Sequence, residues 1–107
     1  MSIAVDLAEL PAAVARFGSS ALLVTSSTDG PPHISSVLVT FDCDNLTMRV
    51  GRKTLANVAE RPVVTLVWPG TPDGDYCLIV DAAAQEAPAA TLLLRPTSAV
   101  LHRLAKE

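Results

Sequence analysis

Aromatic side chains supply only 4% of this 107-residue chain, as one Trp, one Tyr and two Phe. Charge is also sparse, at 18% of residues, against about 25% in ordinary soluble domains. Two cysteines, Cys43 and Cys77, stand far apart with no CxxC pair or Cys/His cluster around them. That pattern excludes a zinc site and is expected to leave two free thiols in a cytoplasmic chain. Long apolar runs are missing too. The uncharged stretches Phe17 to Thr28 and Gly30 to Phe41 carry Gly, Ser or Pro, whereas a membrane helix needs about 20 apolar residues. The first residues hold Asp6 and Glu9 and no basic n-region, so no signal peptide is expected. Neither GxGxxG nor GxxxxGK[ST] occurs, which excludes a dinucleotide-binding fingerprint and a P-loop. No Ser/His/Asp or Cys/His spacing marks a nucleophile, so catalytic residues stay unassigned.

What is present is apolar: half the residues are hydrophobic and the mean hydropathy is +0.38. That composition excludes disorder. A single domain of this length buries roughly 65% of the surface its unfolded chain exposes. So much apolar surface on so small a core points to an oligomer, in which an interface covers the excess. The net charge of −3 disfavours nucleic acid and acidic membranes as partners. Its distribution is uneven. Arg49, Arg52, Lys53 and Arg61 face only Glu60 within thirteen positions, so this stretch carries +3 and the rest of the chain −6.

Apolar periodicity gives the elements. Leu7, Leu10, Val14 and Phe17 recur at helical spacing, which predicts an N-terminal helix within residues 1–17. Strands are expected over Ala21–Ser26, His33–Phe41, Leu46–Val50, Val63–Trp68, Tyr76–Gln85 and Ala90–Arg95, with turns at Thr28–Pro32, Asp42–Asn45 and Glu86–Pro88. The first three read as two successive hairpins, an antiparallel meander. A short helix over Thr54–Arg61 separates the third and fourth strands, and Pro62 stops it. Thr97–Ala105, within a closing segment 97–107, reads as an amphipathic helix, with Ser98 or Thr97 as its cap. Six short strands with few helices predict a mainly β fold, a small antiparallel barrel in one domain, because closure removes the edges. Trp68 is expected in the core, and His33 on the surface.

The informative stretch is MRVGRKTLANVAERP. A strand ends at Gly51, a residue free to adopt backbone angles that others avoid, and a helix begins within three residues, with Arg52 and Lys53 at that same end. Helix N-termini expose unsatisfied N–H groups and a partial positive charge, so cations there oppose the dipole. A phosphate would resolve the conflict by accepting those N–H bonds and pairing with the guanidinium. Solvent screening of two surface cations is the competing explanation.

Taken in order, a DG turn, the strand ISSVLVTF, the strand NLTMRV and then GRKTLANVAERPVVTLVW resemble the split barrel of the pyridoxamine 5′-phosphate oxidase-like FMN-binding superfamily, as does the closing LRPTSAVLHRL. The resemblance spans about residues 18 to 104. It implies a homodimer with FMN at the subunit interface, a flavin-dependent oxidoreductase acting on an unidentified small molecule. The cofactor residues it implies are Ser35, Ser36, Val37, Leu38, Arg49, Val50, Arg52, Lys53 and Thr54. Arg52 and Lys53 would anchor the phosphate, and the backbone of Ser36 to Leu38 would face the ring. Ser35 and Thr40 stand where the family carries cations, and Gly51 where it carries serine. The alternatives are the deazaflavin cofactor F420, which some relatives use, and a non-catalytic dimeric module that has lost its cofactor.

Overall fold

The computed structural model describes residues 2–70 and 74–103. Eight strands and two short α-helices make a curled antiparallel sheet, a mainly β half-barrel. The strands are β1 (Ser2–Ala4), β2 (Ser20–Thr25), β3 (His33–Leu38), β4 (Thr40–Asp42), β5 (Asn45–Arg49), β6 (Val63–Trp68), β7 (Tyr76–Ala87) and β8 (Thr91–Arg103). Their order across the sheet is β3-β2-β6-β7-β8-β5-β4, and β1 pairs separately with β8. The ends of this path, β3 and β4, are joined through Val39, whose N–H donates to the Ser19 carbonyl at 2.8 Å. The barrel is therefore closed on one side by a bend in the chain.

Alternation decides which side chains enter the core. Ala21, Leu23 and Thr25 on β2, Val64, Leu66 and Trp68 on β6, and Leu78, Val80 and Ala82 on β7 are all buried. Leu46, Met48, Leu92 and Leu94 complete the wall from β5 and β8. Helix α1 (Leu10–Phe17) plugs this interior with Leu10, Ala13 and Val14. It ends at Gly18, where φ is 96°, a left-handed conformation that glycine adopts without steric cost. The Trp68 indole N–H donates to the Gly18 carbonyl at 2.9 Å, so the core tryptophan ties the end of α1 to β6. Helix α2 (Arg52–Glu60) packs against β2, β3 and β7.

Several expectations are corrected. The described residues form eight strands, not six. The N-terminal segment is not one helix: Ser2–Ala4 is β1, Leu7–Glu9 is a 3-10 turn, and α1 begins at Leu10, with Pro11 in its first turn. His33–Phe41 breaks at Val39, and only its Thr40–Asp42 end pairs with β5, so the meander is interrupted. The expected helix over Thr97–Ala105 is strand as far as Arg103, and residues 104–107 lie outside the described residues. Two neighbours win that segment: β7 pairs with it from Tyr76 to Asp81, and β1 from Ser2 to Ala4. Ser98 accordingly caps no helix, and its hydroxyl donates to Asp81 Oδ2 at 3.3 Å. Gly51 has an ordinary extended φ of −89°, so no special backbone freedom is used there.

The β7–β8 turn is conformationally costly. Ala89 and Ala90 both have positive φ, at 62° and 56°. A left-handed L-residue costs roughly 1–2 kcal/mol, part of which glycine recovers. Ala90→Gly should raise stability by about 1 kcal/mol, read as a higher denaturation midpoint at unchanged slope.

Candidate functional site

Strand β3 is the wall of two hollows. On one side Ser36, Val37 and Leu38 meet Ser20, Ala21, Leu22 and Pro69 around about 330 Å³. On the other they face β5 across a cleft of about 520 Å³, lined also by Thr40, Thr47, Met48, Arg49 and Thr91. This second cleft lies where the sheet is split, because β3 and β5 are brought together without pairing. Its lining combines apolar surface from Leu38 with the hydroxyls of Ser36, Thr40, Thr47 and Thr91, and one cation, Arg49. The volume lies within the roughly 300–1,000 Å³ of small-molecule sites.

From Arg49 the chain turns directly into α2. The Val50 N–H donates to the Ala90 carbonyl at 2.9 Å, which holds this corner against the start of β8. Gly51 is the N-cap and no side-chain oxygen caps the helix. The first N–H groups of α2 thus lack the side-chain partner such ends usually recruit. Arg52 and Lys53 are exposed at this positive pole, and neither pairs with a carboxylate among the described residues. The far end is inverted as well: Glu60 sits at the negative pole. There the cause is visible, because Glu60 Oε2 accepts the Thr28 backbone N–H at 3.0 Å. One turn earlier the buried Asn57 amide donates to the Thr25 hydroxyl at 3.1 Å. These two bonds fix α2 on the end of β2, so the helix start is held in place from its far end.

Of the nine residues singled out from sequence, Ser36, Val37, Leu38 and Arg49 line the cleft. Ser35 points to the opposite face of β3 from Ser36, by strand alternation. Val50, Arg52, Lys53 and Thr54 form the corner and helix start that follow, with Thr54 buried beneath. Thr47, Met48 and Thr91 were not singled out. Thr47 and Met48 lie in the NLTMRV strand, so the alternation on that strand could have nominated Thr47. Thr91 enters only through its pairing with Arg49, which no local pattern reveals.

No family model matches the sequence, and no curated protein matches it significantly. Solved structures do match. A FAD-binding protein from Mesorhizobium loti has a TM-score of 0.72 at 11% identity, covering 95% of this chain and 99% of that one. A candidate pyridoxamine 5′-phosphate oxidase from Corynebacterium glutamicum gives 0.70 at 14% identity, over 97% and 100% of the two chains. An F420 reductase gives 0.62 at 16%, over 75% and 87%. Likeness at such identities is one of fold. The chain has the split-barrel fold of pyridoxamine 5′-phosphate oxidase-like and flavin-binding proteins.

Proposed function

We propose that this chain is a flavin-type cofactor-binding protein, with FMN as the first candidate and F420 as the second, and that it works as a small homodimeric oxidoreductase. The observation that carries the reading is the adjacency of the β3–β5 cleft to the uncapped, cationic start of α2. A flat ring fits a cleft walled by Leu38 and threonine hydroxyls. A phosphate fits Arg52, Lys53 and the free N–H groups beside them. A bound flavin would supply the redox chemistry, while the protein would bind and orient it and exclude water. The fold of FAD-binding and F420-reducing proteins supports a cofactor of this class without choosing among its members.

The dimer is supported by the outer face of the sheet. Register aligns Leu22, Val67, Ile79 and Val100 in one cross-strand row, and Ile34 and Leu38 beside it are 60% and 69% exposed. Leu38 belongs both to this face and to the cleft, so a second copy seated here would also wall the cofactor site. Sedimentation at micromolar concentration should give about twice 11.2 kDa, and addition of FMN should strengthen the dimer. A monomer that binds FMN tightly would refute the interfacial site. The cofactor-free module predicts a dimer with no flavin binding at all.

A further inference from the structure

Two groups of cations lie near the cleft, and their settings differ. Arg52 and Lys53 stand beyond Gly51 on the first turn of α2, outside the cleft lining. Arg49 is within it and is the one charged side chain among the residues that line it. It is exposed and makes no ion pair with any described residue. Its backbone is paired on one side, where Arg49 faces Thr91 of β8, while β4 pairs with β5 only over Asn45–Thr47 and leaves the other side of Arg49 open to the cleft. A guanidinium is a planar fork, suited to two adjacent acceptor atoms and poorly replaced by an ammonium.

We propose that Arg49 is the specificity-determining residue of the cleft, and that it reads the acceptor edge of a flat, uncharged heteroaromatic ring. The ligand's anionic tail is left to the start of α2. This rests on the cofactor reading above and adds a division of labour to it. The walls fit that division. Leu38, 69% exposed, offers apolar surface to a ring body, and Thr40, Thr47 and Thr91 offer single hydroxyls around it. None of these can hold a phosphate as a cation and free N–H groups can. The site therefore selects ligands by a two-acceptor ring edge, and ligands with an anion in that position bind through charge alone.

Riboflavin has the ring of FMN without its phosphate, so the pair separates the two roles. Fluorescence titration of the full chain should show Arg49→Gln losing about 10- to 100-fold in affinity for FMN and by the same factor for riboflavin, the scale of a charge-assisted hydrogen bond. Arg49→Lys should recover only part of the loss, since the fork is gone. Arg61→Gln removes an equal charge outside the cleft and should leave both affinities unchanged. Circular dichroism and thermal melts establish that each variant is folded. Loss for FMN alone would make Arg49 a phosphate contact and overturn the assignment. An unchanged affinity for both ligands, or full recovery with Lys, would overturn it as well. Failure of the unmodified protein to bind either ligand would remove the cofactor reading itself, an outcome distinct from the others.

Discussion

Trp68→Ala should lower stability by about 3–5 kcal/mol, the range for removing a large buried aromatic side chain. Trp68 is fully buried, with 0% of its surface accessible. The substitution removes its packing within the buried core and also takes the indole N–H from the Gly18 carbonyl. Domains of this size are stable by only about 5–15 kcal/mol, so the loss is a large share of the whole. Trp68→Phe keeps most of the ring and should cost less, with the missing hydrogen bond accounting for about 0.5–1.5 kcal/mol. Chemical denaturation followed by circular dichroism measures both. An alanine variant as stable as the parent would show that Trp68 does not join α1 to the sheet.

The second large effect concerns the start of α2. Replacing Arg52 and Lys53 together by Ala should weaken FMN binding at least 100-fold, since each charge-assisted contact contributes about 1.5–3 kcal/mol. Riboflavin affinity should hardly change, because riboflavin lacks the phosphate that these two cations would hold. Rising salt should weaken FMN binding to the unmodified protein and have much less effect on the double variant. Arg16→Ala, a cation elsewhere on the chain, is the control. Equal loss with Arg16→Ala would mean diffuse attraction and no anion site. The folded state should tolerate the double variant well, because both side chains are exposed and oppose the helix dipole.

The antiparallel, mainly β barrel was legible because alternation and turn residues are local signals. The strands around Ile34, Leu46 and Leu66 announce themselves by period two, and Gly18, Gly30 and Pro62 punctuate them. What failed was everything decided by a distant neighbour. Val100, Leu101 and Leu104 have helical spacing, but β7 and β1 lie on either side of that segment, and pairing with both overrides its local preference. Ser2–Ala4 gives no strand signal by itself and becomes one beside Val100–His102. The break at Val39 was invisible for a similar reason: its N–H bonds to Ser19, twenty positions away. At the site, the unusual cations at 52 and 53 were legible as a conflict with the helix dipole. The Asn57–Thr25 and Glu60–Thr28 bonds that hold the helix there were not, since each joins residues 32 positions apart.

The central claim is that the β3–β5 cleft and the start of α2 together hold a flavin-type cofactor. The most direct measurement is a fluorescence titration of FMN with purified protein, set beside riboflavin and, by absorbance, F420. The account predicts saturable binding of FMN with a stoichiometry of one per chain, tighter than riboflavin by the contribution of the phosphate. A flat response to all three would contradict it and leave a split barrel that binds no such cofactor.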